Sequence, residues 1–508
     1  MLKFNDFGRV EELATPFWYY DMDVFRKTVK LAASLSERYG IGAHYALKAN
    51  VEPRLVSYIA SKGFGADCVS GNEVKYAVES GFPRSSIVFA GVGKSDKEIS
   101  DALDLGIGCF NVESLMEMQV IDALAASKGV RANVSLRINP NIDAHTHRYV
   151  TTGLYENKFG ISRHEFEAAI DILKGSKALD FKGLHFHIGS QITDVDPVYS
   201  LECERAAEIV EWFEAHGMEV GSIDLGGGLG VDYDEPDENP VPDFEKWFSI
   251  IDRKLRRRPE QSVSIEPGRS MVAQCGSLIT RVLFVKSGET KTFLIMDAGM
   301  NDLIRPALYG AYHKIENLSA YYVSKSSSDD RPGPGICDGG IDSGARSVRA
   351  WDRVPMKNYS KSSSDDRPGP GICESKYVED AKAARSVRVW DRVPMKNYSK
   401  SSSDDRPGPG ICESKYVEDV KAARSVRVWD RVPMKKKGGG IESERLYDIV
   451  GPVCESSDVW GEGRELPYSK RGDILAIRST GAYGSVMSSR YNLRDLAPAV
   501  FSDDLKLK

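Results

Sequence analysis

Between about residue 24 and residue 270 a short apolar run followed by a stretch of helical spacing recurs eight times, and no other feature restricts the fold as much. The candidate strands begin near His44 (HYALKAN), Ala66 (ADCVS), Ile87 (IVFAG), Gly108 (GCFNVES), Asn133 (NVSLRIN), Lys182 (KGLHFHI), Ser222 (SIDLGGG) and Val263 (VSIEPG). Apolar residues at helical spacing mark 24–38, 52–62, 72–80, 95–104, 113–127, 164–175, 199–216 and 243–257 as helices. Ser70 and Ser114 each open an SxxE pattern that suits helix capping. Strands that alternate with helices pair in parallel, and eight such units close into a (β/α)8 barrel. The expected fold is therefore α/β plus all-β, with a TIM-type barrel over residues 24–270.

Beyond Gly268 the pattern changes to SLITRVLFVKS, KTFLIMDAG, YDIVGPV and DILAIRST, alternating runs broken by Gly and Pro turns. They predict a C-terminal β-sandwich-like domain made of residues 271–320 and 441–508, which also takes in the N-terminal strand within 1–23. The chain has 508 residues, more than one hydrophobic core usually organises, so two domains fit.

Residues 321–440 stand apart. KSSSDDRPGPGIC begins at Lys325, Lys361 and Lys400, and each copy ends in RSVRxWDRVPMK. The last two copies are nearly identical, which points to recent duplication. The stretch reads as an extended solvated loop, as a small repeat module with one tryptophan per copy (Trp351, Trp390, Trp429), or as a sequence artefact. Each helix-like piece, such as SKYVEDAKAARSVRVW, is too short and too charged to bury a core alone.

The net charge of -6 gives no overall field for a nucleic-acid backbone or an anionic membrane, and no apolar run reaches the length of a membrane helix. Eight cysteines without CxxC pairs fit reduced thiols better than a disulfide frame or zinc site, so no metal is expected. The first residues carry neither a basic segment nor an apolar core of a signal peptide, and a cytoplasmic protein is expected.

Polar and glycine-rich residues gather where the predicted barrel strands end, the face on which this fold builds its sites. Lys48, in YALKAN, has apolar neighbours that would lower its pKa toward the neutral amine an imine requires. A lone lysine is otherwise a solvated charge. GGGLG at Gly226 to Gly230 is either a plain turn or, with EPGR at Glu266 to Arg269 on the neighbouring strand end, a cup of backbone N–H groups for a phosphate. A phosphate and an imine-forming lysine point to pyridoxal 5'-phosphate, whose ring nitrogen needs a carboxylate partner, and Glu266 is placed for that. His187 and His185 fall on one side of the sixth strand, as core residues or as a ring stacked on a flat cofactor. Asp67, Glu113, Arg137 and Asn139 also end strands, where they serve as orienting groups or as structural ion pairs.

In the β domain, Arg305 and Tyr309 in DLIRPALYGAYH could clamp a carboxylate. Cys454 and Glu455 place a thiol beside a carboxylate, and Tyr483 in GAYG sits on a tight turn. By itself Cys454 would be an inert buried thiol.

Taken together, YALKAN, GLHFHIGSQ, LGGGLG, EPGR, DLIRPALYGAYH, GPVCESSD and GAYGSVMSSRYN resemble the diaminopimelate decarboxylase family, from about residue 14 to 318 and again from 445 to 504. The repeats have no counterpart there. The resemblance implies pyridoxal-phosphate-dependent decarboxylation of meso-2,6-diaminopimelate to L-lysine, the last step of lysine biosynthesis. It implies that Lys48 carries the cofactor as an imine, His187 stacks on its ring and Glu266 pairs with the ring nitrogen. Gly226, Gly227, Gly228, Gly268 and the Arg269 backbone would bind phosphate, with Tyr483 closing over it. Arg269, Arg305 and Tyr309 would grip the carboxylate that survives in lysine. Glu455 would receive a substrate amino group and Cys454 would act as general acid, both donated by the neighbouring subunit of a homodimer. Ornithine, arginine or carboxynorspermidine are the other substrates this architecture admits, and a catalytically silent protein whose repeats recruit a partner is a reading from another class.

Overall fold

A computed structural model describes residues 7–140, 158–322 and 444–506. These belong to one compact unit. The repeats, with Cys337, Cys373, Cys412 and the three tryptophans, lie outside the described residues.

Strand β1 (Phe17–Tyr20) precedes the barrel, whose strands are β2 (Ile41–Ala46), β3 (Gly65–Cys68), β4 (Ile87–Phe89), β5 (Cys109–Val112), β6 (Ala132–Arg137), β7 (Leu179–His185), β8 (Ser222–Asp224) and β9 (Ser262–Ile265). All eight expected strands are present, and they close in the order of the chain. The closing pair is parallel, Ile41 opposite Val263 and Ala43 opposite Ile265, so the first and last strand ends become neighbours. Ser70 and Ser114 do cap their helices, accepting from Glu73 and Glu117 N–H. The two glutamates reach one residue further back than a capping box requires, to the Val69 and Glu113 N–H groups, and so tie each helix to the strand before it. The reciprocal box occurs instead at Ser95 and Glu98.

The remaining strands are β10 (Gly276–Ser287), β11 (Thr292–Met296), β12 (Ile315–Asn317), β13 (Arg445–Val450), β14 (Val459–Leu466), β15 (Ile474–Ile477) and β16 (Ala499–Phe501). With β1 they form one eight-stranded sheet. β10 is its hinge: the buried first half pairs with β1 and β15, and beyond an irregularity between Val282 and Phe284 the exposed half pairs with β11. The N-terminal strand joins this domain, as expected, antiparallel to β10 and parallel to β16. Tyr321 and Tyr322, expected inside the insert, extend the helix after β12, and the Tyr322 ring stacks on Phe7 at 4.4 Å.

Loops of the sheet domain reach the C-terminal face of the barrel. The Tyr483 N–H donates to the Ala49 carbonyl at 2.8 Å, and the Asn50 side chain donates to the Gly481 carbonyl at 2.7 Å. Those bonds join the turn after β15 to the chain just past β2.

Candidate active site

At this junction lies a cavity of about 1150 Å³. Lys48, His187, Glu266, Arg269, Arg305, Tyr309 and Tyr483 all line it, with Gly228 and Gly268. Residues drawn from both domains and spread over more than 400 positions of sequence thus meet in one place.

Lys48 sits in the turn Leu47–Ala49 that follows β2, not on the strand itself, and its Nζ donates to Asp67 Oδ2 at 3.2 Å. Its side chain keeps 39% of its surface because it faces the cavity, while Asp67 is fully buried. The expected depression of its pKa is corrected here. Desolvation does pull the ammonium down, but Asp67, Tyr483 and Glu266 together outweigh it and hold the pKa above the ordinary lysine value. Strand β3 supplies the decisive charge, which the local apolar neighbours of Lys48 gave no hint of.

Glu266 follows β9, next to Lys48 around the closed barrel. Its Oε2 lies 3.2 Å from His185 Nε2 and its Oε1 accepts a 3.5 Å bond from Asn111. Burial, reinforced by Asp67, pushes its carboxyl well above the usual range. Asp224, beneath it at the end of β8, is raised to about 6 by burial and then by Glu266. His185, Asp224 and Glu266 each bring a ligand-type atom to within 4.8 Å of one another, a buried grouping that the absence of a metal motif in the sequence did not foreshadow. A cationic ring N–H brought to Glu266 would restore its ionised form, and that is what a protonated pyridine provides.

His185 and His187 part company. His185 is buried under the cavity against Glu266, with its pKa lowered to about 4 by desolvation. His187 lies just past β7 at the cavity wall, and its Nδ1 accepts the Gly227 N–H at 3.1 Å, which leaves the proton of the neutral ring on Nε2. Desolvation, then Arg137 and Lys48, keep this imidazole neutral. A neutral, fixed ring beside the cavity is suited to stacking.

The glycines divide in the same way. Gly226 takes a φ of 65°, and a Cβ at Gly227 would lie 2.2 Å from the Glu266 carbonyl oxygen, so side chains are excluded from this turn. However, the Gly226 N–H is donated to Asp224 and the Gly227 N–H to His187. They hold the site from behind, whereas Gly228 and Gly268 form the wall itself, with N–H groups not taken by any protein acceptor among the described residues. Unclaimed N–H groups thus face the cavity at Gly228 and Gly268 and not at Gly226 or Gly227.

Across the cavity two guanidinium groups converge. Arg269 donates to Tyr233 Oη at 2.7 Å and to Ser190 Oγ at 2.9 Å, and its guanidinium lies over the Tyr483 ring at 4.9 Å. Arg305 also donates to Tyr233 Oη, at 2.9 Å. Its position comes from the short helix Arg305–Tyr309, set by Pro306 in the first turn and ended by Gly310 in the left-handed conformation. Sequence reasoning missed Tyr233, Ser190 and Asp224. Only the position of Tyr233 just beyond LGGGLG could have flagged it.

Glu113 and Arg137 form a buried 2.6 Å ion pair, and Glu113 also accepts the Gly91 and Gly160 N–H groups. Of this pair, Arg137 reaches the cavity. The Asn139 N–H donates to the Ile161 carbonyl, a structural bond.

Cys454 and Glu455 are not brought to the cavity of their own chain. They lie in the turn between β13 and β14, where Cys454 is exposed rather than buried and Glu455 accepts from the Tyr491 hydroxyl.

Residues 23–273 match the family model for the pyridoxal binding domain of pyridoxal-dependent decarboxylases, and 420–481 match that for their C-terminal sheet domain. The fold and site thus define a pyridoxal-phosphate-dependent decarboxylase. A diaminopimelate decarboxylase from Bacteroides thetaiotaomicron is 39% identical over 494 residues, covering 97% of both chains. One from Helicobacter pylori is 41% identical over 97% of this chain and 92% of its own. The crystal structure of a Helicobacter pylori diaminopimelate decarboxylase complexed with L-lysine superposes with a TM-score of 0.69 at 30% identity, covering 98% of this chain and 94% of that one. The chain belongs to the diaminopimelate decarboxylase family, the carboxy-lyases that form lysine.

Proposed function

We propose that this chain decarboxylates meso-2,6-diaminopimelate to L-lysine and CO2 with the residues just described, as a homodimer in the cytoplasm. The observation that carries the assignment is the meeting, in one cavity, of Lys48, Glu266 and the convergent Arg269 and Arg305. Pyridoxal 5'-phosphate, when bound, supplies an electron sink for the pair left behind by departing CO2. Lys48 would hold it covalently through Nζ, and Glu266 would keep a proton on the ring nitrogen. His187 would cover one ring face, while Gly228, Gly268 and the Arg269 backbone, backed by Gly226 and Gly227, would receive the phosphate under Tyr483.

Arg269, Arg305 and Tyr309 would bind the carboxylate that is retained, leaving the other free to depart. This clamp favours diaminopimelate over ornithine or arginine, because a substrate without the distal carboxylate leaves two buried cations unanswered. Cys454 would deliver the proton that completes lysine, and Glu455 would accept a substrate ammonium. Their exposed position away from the cavity of their own chain supports donation from a second copy. We further assign 24–270 to the cofactor-binding barrel, 1–23 with 271–320 and 441–508 to the sheet domain, and 321–440 to an insert. The cytoplasmic assignment is supported by the free thiols Cys68, Cys109, Cys203, Cys275 and Cys454.

Co-expression of Lys48→Ala and Cys454→Ala chains tests the shared site. Each variant alone is inactive, whereas random pairing restores roughly one quarter of full activity, since half of the dimers carry one intact site out of two. No restoration would refute donation across subunits.

A further inference from the structure

The Tyr233 hydroxyl accepts a hydrogen bond from each of two guanidinium groups, Arg269 at 2.7 Å and Arg305 at 2.9 Å. A phenol oxygen with both acceptor positions filled still has its own hydrogen to give. Among the described residues no acceptor takes that hydrogen, and Tyr233 lines the cavity. Two positive charges held against one oxygen are a poor arrangement unless an anion arrives, and the phenol records the field. Burial raises its pKa, yet the charges of Arg269 and Arg305 overcome this and bring it below the ordinary tyrosine value.

The far side of the cluster is fixed too. His313 is buried, and its ring meets that of Tyr233 edge-on, with centroids 5.1 Å apart and planes at 87°. Its Nδ1 lies 2.9 Å from the Arg478 carbonyl, which only a protonated Nδ1 satisfies, so Nε2 is left to accept from Arg305 at 3.4 Å. Desolvation, then the Arg305 charge, lower the His313 pKa to about 3, which keeps the ring neutral. Arg305 is thus held from behind by His313 and in front by Tyr233, and among the described residues no carboxylate is a hydrogen-bond partner of it.

Resting on the clamp reading given above, we infer that Tyr233 is the third member of the distal-carboxylate site: it gathers Arg269 and Arg305 and donates its O–H to the carboxylate retained in lysine. His313 is a positioning residue for Arg305. The chemical class recognised is an α-amino carboxylate at the end of a chain remote from the reacting carbon. Tyr233 therefore determines specificity for a dicarboxylic substrate and leaves the bond-breaking chemistry unchanged.

Tyr233→Phe removes one oxygen and keeps the ring that packs on His313. In the cofactor-loaded enzyme, KM for meso-diaminopimelate and the inhibition constant of L-lysine should each rise about 10- to 100-fold, the range for a lost hydrogen bond from a neutral donor to a charged group. kcat, the cofactor absorbance spectrum and inhibition by cadaverine, which has no carboxylate, should stay within about twofold on the same free-energy scale. Equal weakening of lysine and cadaverine would mark a merely structural effect and overturn the inference, as would an unchanged KM or a fall in kcat alone. Arg305→Gln separates the two readings. If it weakens lysine while Tyr233→Phe does not, the clamp stands and the role of Tyr233 fails. If neither does, the clamp itself fails. As a second check, Tyr233→Phe added to Arg305→Gln should weaken lysine by far less than in the unmodified enzyme, and full additivity would contradict joint action.

Discussion

Arg305→Gln probes the clamp most deeply, because the structure gives both sides of its effect. Arg305 is buried, and among the described residues its guanidinium hydrogen-bonds only to neutral partners, Tyr233 Oη at 2.9 Å and His313 Nε2 at 3.4 Å. On the proposed clamp, its charge would be answered when the substrate carboxylate enters. Truncating one partner of a buried, hydrogen-bonded charge pair costs about 2–5 kcal/mol. Arg269 remains beside the carboxylate, so the lower part of that range applies, about 2 to 3.5 kcal/mol, or about 30- to 300-fold in KM. The carboxylate is held alike before and during the reaction, so the loss is one of uniform binding and kcat should fall far less than kcat/KM. The free enzyme should behave differently. Removing one of two like charges from a common oxygen relieves repulsion, and the melting temperature without substrate should not fall. Steady-state kinetics on meso-diaminopimelate, with thermal unfolding of the substrate-free enzyme, decide the matter. A KM within twofold of the unmodified enzyme would refute the reasoning, and a fall of several degrees in melting temperature would show that Arg305 serves the fold instead.

Other expectations follow from the same geometry. Lys48→Ala should lower kcat by about 10³-fold or more, and borohydride reduction of the unmodified holoenzyme, followed by peptide mapping, should find the reduced cofactor on Lys48 alone. Glu266→Gln keeps the shape of the group facing His185 and Asn111 but not its charge; kcat should drop about 10²- to 10³-fold, on the scale of one preorganised electrostatic group, with cofactor still bound in the absorbance spectrum. Asp224 sets a pH dependence. Its folded-state pKa is raised to about 6 by burial and Glu266, so its contribution to stability is present below the ordinary aspartate value of about 4 and is lost as pH rises through about 6. Asp224→Asn should therefore leave the melting temperature of the cofactor-free protein unchanged near pH 4 and raise it by a few degrees above about pH 6.5; a gain of equal size at both pH values would show that the carboxyl is not the cause.

The barrel was legible because each of its strands is an apolar run closed by glycine or a polar residue, as in SIDLGGG and VSIEPG. β14 was not, since VWGEGREL carries two glycines and three charged residues and is recognisable only beside its partner β13. β12 and β16, three residues each, give too little sequence to show a period. The site followed a similar rule. Lys48, His187, Glu266, Arg269 and Arg305 sit in short motifs of their own, but Tyr233 lies in the polar loop VDYDEPDEN and acquires its role only from two arginines at positions 269 and 305. The direction of the Lys48 pKa failed for the same reason. Apolar neighbours in sequence pull it down, whereas Asp67, from the adjacent strand, overrides them.

Reaction balance tests the central claim most directly: CO2 released and L-lysine formed by the purified chain with pyridoxal 5'-phosphate and meso-diaminopimelate, beside equal concentrations of ornithine and arginine. The account predicts CO2 and L-lysine in equal amounts from meso-diaminopimelate, and turnover of the two monocarboxylates at least about 100-fold lower. Cofactor binding without release of CO2 from meso-diaminopimelate, or comparable consumption of ornithine or arginine, would contradict it.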